Sequence, residues 1–120
     1  MPLVNTRRML GLAQKHGYAV GHFNTTNLEE TQAIIDACVE MRAPAIIGTS
    51  TKAIDYAGLS NIAMIIKALA LAPVPIALHL DHGPSVEWAL KTIKSGYTSV
   101  MIDRSKMQYK ENVASTLKVV

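Results

Sequence analysis

A group of titratable side chains closes one apolar stretch of this sequence. Residues 74–80 are mostly apolar, but they include His79 and lead into Asp81, His82 and Gly83. Imidazoles and carboxylates are poor core material, because burying an unpaired ionisable group is costly. The same groups can transfer protons, and neutral imidazole binds zinc. We therefore predict a functional site at the end of a buried strand.

The spacing within this stretch leaves the role of each group open. Strand alternation puts Ala77, His79 and Asp81 on one side of a sheet and His82 on the other, unless the turn at Gly83 swings His82 back. The structural alternative is a hydrogen-bonded pair of His and Asp that ties the strand to its loop. We favour a functional role for Asp81 and His82, and weigh the two roles equally for His79.

The remaining histidines and the cysteine supply no complete metal site. His16 and His22 are isolated, and neither an H-E-x-x-H nor a C-x-x-C motif is present. Cys38 is the one cysteine and lies in a helical pattern, so a disulfide within the chain is impossible. We expect it to be a buried spectator in a reducing compartment.

Composition indicates a globular protein with an aliphatic core. The 120 residues are 49% hydrophobic and 18% charged. The net charge of +3 comes from scattered lysines and arginines, and few aromatic residues are available for base stacking, so we expect no nucleic-acid partner. Because no stretch approaches the roughly 20 apolar residues of a membrane span, we expect a soluble cytoplasmic protein that does not bind membranes.

Strand-like and helical segments alternate along the chain. Asparagine, threonine and serine precede the helical patterns as caps, and proline or glycine ends them. Short continuous apolar runs are typical of strands buried on both faces. We predict strands at residues 18–23, 45–48, 74–80 and 97–102, helices at 7–15, 28–41, 60–71, 84–95 and 111–120, and a polar loop at 49–51.

This alternation predicts an α/β fold with a parallel sheet and right-handed crossovers. Four such units form either an open doubly wound sheet or the first half of a (β/α)8 barrel, and no glycine-rich dinucleotide or phosphate motif follows the first strand. In a barrel, polar residues at the carboxyl ends of the strands converge on one face. Here those residues are Asn24, Thr49, Ser50, Asp81, His82 and Asp103, whereas Thr25, Thr26 and Thr51 are interpreted as helix caps.

Four segments resemble one enzyme family. They are residues 17–24, 43–50, 75–83 and 96–103, of which the third is the most specific. Together they are similar to the amino-terminal half of class II, zinc-dependent fructose-bisphosphate or tagatose-bisphosphate aldolases. The resemblance extends over almost the whole chain and implies a TIM barrel, of which residues 1–120 form a single α/β unit.

The resemblance also implies a chemistry and a role for individual residues. Such enzymes reversibly cleave fructose 1,6-bisphosphate to dihydroxyacetone phosphate and glyceraldehyde 3-phosphate, with Zn²⁺ acting as the Lewis acid on the ketone oxygen. Asp81 matches the family's acid/base carboxylate and His82 matches a zinc ligand. Asn24 and Ser50 match positions that line the substrate site. Asp103 matches a carboxylate near the metal, which either holds the ligands in place or serves a second metal position.

The chain departs from the family pattern around these motifs. The aspartate of the fourth strand is followed by Arg104, Ser105 and Lys106, where members often have a small residue and then Ser-His. Gly48 and Lys52 are also unlike many members. These differences leave the substrate open, although Gly83 favours the fructose branch over the tagatose branch.

The length of the chain limits what it can do alone. The family's other zinc-binding histidines and glycine-rich phosphate loops belong to a carboxyl-terminal half that is absent here. We therefore expect an inactive half-barrel with weak zinc affinity, whose parent acts on a phosphorylated sugar. Two exposed sheet edges favour a homo-oligomer, a dimer or higher. The alternatives are a self-associating scaffold without catalysis, or another metal-dependent lyase of phosphorylated sugars.

Overall fold

The computed structural model describes residues 3–120, and this part of the chain forms one four-stranded sheet and six helices. Strands and helices alternate after an initial helix, with two helices in the second crossover. The elements are α1 (Thr6–His16), β1 (Gly21–Asn24), α2 (Leu28–Glu40), β2 (Ala45–Ser50), α3 (Thr51–Ala57), α4 (Leu59–Leu69), β3 (Ile76–Gly83), α5 (Val86–Lys94), β4 (Ser99–Ile102) and α6 (Tyr109–Leu117).

Short polar side chains fix where four of the helices begin. The side-chain oxygens of Asn5, Asn27, Ser50 and Ser85 each accept a hydrogen bond from a backbone N–H two or three residues later, at 2.8–3.2 Å. These bonds satisfy donors that have no partner within the helix. At the other end of α1, Gly17 adopts the left-handed conformation with φ 70° and stops the helix.

The order of the strands distinguishes between the two predicted architectures. All neighbouring strands are parallel, and the order across the sheet is β1-β2-β3-β4. A doubly wound sheet reverses direction at a switch point, whereas a barrel adds each new strand on the same side. The sheet is therefore the first half of a (β/α)8 barrel, which confirms the predicted fold class.

The core lies between the sheet and its helices. Ile47, Leu78 and Leu80 alternate along β2 and β3 and are fully buried on this face. Ile62 and Ile66, one turn apart on α4, are buried against the same cluster. Burying each such side chain stabilises the fold by about 1.5–3 kcal/mol relative to exposure.

The opposite face of the sheet, which lines the inside of a barrel, carries polar residues towards the carboxyl ends of the strands. One register row crosses all four strands through Asn24, Gly48, His79 and Ser99. Asp81 lies two residues beyond His79 on β3 and therefore on the same face. The residues that could do chemistry share this face, while the aliphatic residues hold the other one to the helices.

Several predicted boundaries differ from the structure: the strands predicted at 74–80 and 97–102 are Ile76–Gly83 and Ser99–Ile102. Two further errors have identifiable reasons. Residues 18–20 are not strand, because the pairing of β1 with β2 begins at Gly21 opposite Ala45. The polar loop predicted at residues 49–51 is also absent: Thr49 and Ser50 complete β2, and the Ser50 cap makes Thr51 the first residue of α3. That helix was not predicted.

Within residues 3–120, none of the helices combines the length and the hydropathy that a membrane span requires.

Candidate active site

A hydrogen bond links two strand ends that are not neighbours in the sheet. Asn24, the last residue of β1, donates from Nδ2 to Oδ2 of Asp81 on β3 at 2.8 Å. The bond spans the intervening strand β2. The Asp81 side chain is 17% exposed, and the bond to Asn24 holds its carboxylate through Oδ2.

His82 leaves the regular strand conformation. Its φ is +52°, which is uncommon for a residue with a Cβ and costs on the order of 1–3 kcal/mol. We predicted that a turn at Gly83 could return the imidazole to the side of Asp81, and the turn is at His82 itself. As a result, His82 Nε2 lies 3.8 Å from Asp81 Oδ1.

Contacts from the end of β4 hold this turn. The backbone N–H of Asp103 donates to the carbonyl of Gly83 at 2.7 Å. One residue later, Arg104 donates from Nη1 to the carbonyl of Pro84 at 2.9 Å. The strained segment is therefore fixed by two bonds on its carboxyl side, which keep the imidazole of His82 in one place.

A carboxylate orients the imidazole of His82. The Nδ1–H of His82 donates to Asp103 Oδ2 at 2.6 Å, since a carboxylate oxygen accepts. The other oxygen of Asp103 accepts from the hydroxyl and the backbone N–H of Ser105, at 2.7 and 3.0 Å. Hydrogen bonds hold the pKa of the Asp103 carboxyl well below its ordinary value. The bond from the Ser105 hydroxyl has the largest effect, and the bond from His82 has the next largest. The pKa of His82 is raised, mainly by its hydrogen bond to Asp103 and next by the negative charge of Asp81.

This arrangement leaves one imidazole nitrogen for a ligand. With the proton on Nδ1, the lone pair of His82 is on Nε2, and the side chain is 63% exposed. Metal-binding histidines commonly donate their other N–H to a carboxylate in this way. The donor chemistry fits zinc, but the described residues hold no group of three His, Cys, Asp or Glu side chains that could complete a site.

Ser50 lies beside the cluster without a bond to it. It is the register partner of Asp81, and its hydroxyl accepts from the backbone N–H of Ala53 at 3.2 Å as the cap of α3. The structure thus brings together Asn24, Asp81 and His82 with the carboxylate that follows β4. It gives Ser50 a local structural contact at the rim of the same face.

His79 lies one layer deeper in the barrel face. Its Nδ1 is 2.8 Å from Ser99 Oγ, and its ring meets that of His22 edge to face, with centroids 5.3 Å apart. The pKa of His79 is lowered, mainly by burial and next by the charge of His22. These contacts favour a structural role for His79.

Sequence reasoning missed two supporting serines. Ser105 follows Asp103 by two residues, and Asp-x-Ser is a pattern in which an aspartate accepts from the backbone N–H two residues on, so a local signal was present. Ser99 reaches His79 only through the pairing of β3 with β4. No local pattern in the sequence indicates that contact.

Comparison with known proteins identifies the family. The family model described as "Fructose-bisphosphate aldolase class-II" matches residues 4–120. A "Probable fructose-bisphosphate aldolase" of Bacillus subtilis (strain 168) is 49% identical over 124 residues, covering 100% of this chain and 44% of its own length. A "Fructose-bisphosphate aldolase" of Thermus caldophilus is 45% identical over 118 residues, which are 98% of this chain and 39% of that protein.

Solved structures give the same result. The crystal structure of the YdjI aldolase from Escherichia coli K12 superposes with a TM-score of 0.93 at 31% identity, over 98% of this chain and 46% of that one. The chain thus spans less than half the length of the relatives it matches, which is consistent with an amino-terminal half. The match over residues 4–120 shows that this chain belongs to the class II fructose-bisphosphate aldolase family.

Proposed function

We propose that this chain supplies the amino-terminal half of the barrel of a zinc-dependent aldolase. The parent enzyme reversibly cleaves fructose 1,6-bisphosphate to dihydroxyacetone phosphate and glyceraldehyde 3-phosphate. The observation that carries the proposal is the convergence of Asn24, Asp81, His82 and Asp103 at the carboxyl end of the sheet. Membership of the family supports the same reaction.

Asp81 is the proton carrier in this proposal. Its Oδ2 accepts the amide of Asn24, so the hydrogen bond fixes the plane of the carboxylate and leaves Oδ1 to exchange a proton. In the cleavage direction Oδ1 takes the proton of the C4 hydroxyl, and in condensation it returns a proton to the aldehyde oxygen. A positioned carboxylate is suited to both steps because the same group acts as base and then as acid.

His82 contributes one imidazole to the metal site. Its Nε2 would be the ligand atom, and Asp103 holds the ring by accepting the Nδ1–H. Zinc, when bound, polarises the ketone oxygen of the substrate as a Lewis acid. Of the two roles implied for Asp103, the bond to Nδ1 supports that of orienting His82 over that of a second metal position.

The substrate is a phosphorylated ketose. Asn24 lies where it can meet the sugar hydroxyls beside Asp81, and Ser50 lines the neighbouring rim. Arg104 and Lys106 line a cavity of about 290 Å³ next to His82, which makes this side of the site basic. Tagatose 1,6-bisphosphate is the alternative substrate, since the two sugars differ only at C4.

A chimeric enzyme tests the proposal. Residues 1–120 replace the matching part of the Bacillus subtilis relative, and cleavage of both bisphosphates is followed by a coupled assay. We expect cleavage of fructose 1,6-bisphosphate, with tagatose 1,6-bisphosphate a poorer substrate. A His82→Ala chimera purified in parallel controls for host aldolase. A folded chimera that binds zinc and cleaves neither sugar would contradict the proposal.

A further inference from the structure

The bond between Asn24 and Asp81 crosses a strand at a glycine. Since β2 lies between β1 and β3, the Asn24 side chain has to pass over β2 to reach the carboxylate. The residue of β2 in the same register row is Gly48, which is paired with Asn24 on one side and with His79 on the other. Gly48 is buried, whereas Asn24 and His22 are exposed above it.

A side chain at position 48 has no room. A Cβ built on Gly48 would overlap Nε2 of His22 and Oδ1 of Asn24, and the three nearest heavy atoms all belong to these two side chains. No backbone atom is among them. The space that a side chain would need is therefore filled by the side chains that cross the strand.

The backbone of position 48 does not itself require glycine. The glycines with positive φ in the described chain are Gly17, Gly58 and Gly96, so Gly48 has a conformation that other residues adopt freely. A glycine inside a strand is unfavourable relative to residues with a side chain, and it often marks a close approach of other groups. Glycine is explained at this position by packing, because the side chains of His22 and Asn24 fill the space above β2.

We propose that Gly48 is a positioning residue for the proton carrier. Its missing side chain opens a passage across β2, through which Asn24 reaches Asp81 and fixes the carboxylate plane. The inference rests on the proposed role of Asp81. It adds a positioning residue on the strand next to the acid/base residue, because a larger residue at position 48 would displace the side chains of Asn24 and His22.

The side-chain amide of Asn24 reports on the passage directly. In the 120-residue chain its two Nδ2 protons are assigned by NMR with an Asn24→Ala variant, and their exchange with water is measured. Gly48→Ala should leave the backbone spectrum largely unchanged, because the overlapping atoms lie at the ends of movable side chains. Exchange of the Asn24 amide protons should be about tenfold faster, as expected for loss of a charge-assisted hydrogen bond.

A second glycine provides the matched control. Gly11 on α1 has nothing within 4 Å of a built Cβ, so Gly11→Ala makes the same chemical change away from the site. It should not alter the Asn24 amide. Gly48→Ala with unchanged exchange at Asn24 would overturn the proposal. Because no turnover is measured, this outcome is independent of whether the parent is an aldolase.

A further variant covers the case in which Gly48→Ala does not fold. Combining it with His22→Ala and Asn24→Ala removes every atom that is nearest to the new Cβ. Recovery of the folded spectrum in this triple variant would show that the crossing side chains occupy the passage. Failure of the triple variant to fold, when His22→Ala combined with Asn24→Ala does fold, would place the conflict in the backbone and refute the inference.

Discussion

The site depends on His82, whose backbone conformation is strained and sets the direction of its imidazole. His82 takes a positive φ at the end of β3, and this turns its ring to the side of Asp81 and towards Asp103. Strain of this kind persists where the surroundings fix the backbone, and here Gly83 and Pro84 accept hydrogen bonds from the end of β4. The imidazole is therefore oriented before any ligand arrives.

Removing the orienting carboxylate should weaken metal binding. In the chimeric enzyme, Asp103→Asn replaces the charged acceptor of the His82 Nδ1–H with a neutral one, so we expect zinc affinity to fall by about tenfold to 100-fold. Competition with a chelator measures this. Ser105→Ala, which removes one bond to Asp103 and keeps its charge, should have a smaller effect. Unchanged affinity in Asp103→Asn would contradict the orienting role.

For single residues, the sequence identifies the members of the site better than it predicts the contacts between them. Asp81 and His82 stand out because polar groups interrupt an apolar strand. The bond from Asn24 to Asp81 does not stand out, since it crosses β2 above Gly48. Contacts between strands that are distant in sequence require the register, which local patterns do not determine.

At the scale of elements, the start of α2 shows how a helix end is built in this fold. Asn27 caps the helix, and Glu30 reaches back to accept from both the hydroxyl and the backbone N–H of Thr26, each at 2.7 Å. Thr25 is buried and bonds to Thr31 within the helix. This end fixes the loop that follows Asn24, so the site depends on it.

The bonds to Glu30 should make stability depend on pH. The hydroxyl of Thr26, followed by its N–H, lowers the pKa of Glu30 below 4.5. Because the pKa is lower in the folded state, the stabilisation is present above pH 4.5 and is lost as pH falls through the folded value. In Thr26→Ala the pKa of Glu30 should rise, and the cost in unfolding free energy that is present at pH 7 should shrink as the pH falls through the folded pKa of Glu30.

Urea unfolding across the acid pH range and NMR titration of Glu30 measure these changes. Thr26→Ser keeps the hydroxyl and should behave like the wild-type chain. A Glu30 pKa that is the same in Thr26→Ala and in the wild-type chain would show that the hydroxyl does not hold the carboxylate.

Helix and strand boundaries were predicted best where a cap or a proline marks them. The helix α3 was missed because residues 49–51 read as a polar loop, although Ser50 acts there as an N-cap. The first strand was predicted too long because residues 18–20 are apolar enough for a strand but have no pairing partner. Propensity indicates what a segment can form, and pairing decides how much of it does.

At the scale of the whole molecule, β1 and β4 are the two edge strands of the sheet that residues 3–120 form, and each pairs with a strand on one side. Along β1, an apolar cavity of about 510 Å³ lies between the strand and α2, lined in part by Phe23, Ala37 and Met41. Phe23 is 46% exposed although it is a large apolar residue within β1. Unpaired edges with apolar side chains favour association with another chain.

The isolated chain should therefore associate. Sedimentation equilibrium at micromolar concentration should give a dimer or a larger species, without aldolase activity, because the described residues hold no complete set of metal ligands around His82. Phe23→Lys at the β1 edge should shift the chain towards monomer. Tyr56→Lys on α3, where the side chain is 79% exposed, should not. A folded wild-type monomer would argue against association through the edges.

The central claim is that Asp81 carries the proton while His82 serves the metal. The most direct test compares Asp81→Asn with the unmodified chimera, measuring cleavage of fructose 1,6-bisphosphate and bound zinc on the same samples. Asparagine keeps an acceptor for Asn24 and removes the basic oxygen. We expect turnover to fall by about 10²-fold to 10⁴-fold with zinc content unchanged. A fall of less than about tenfold, at full zinc content, would contradict the assignment.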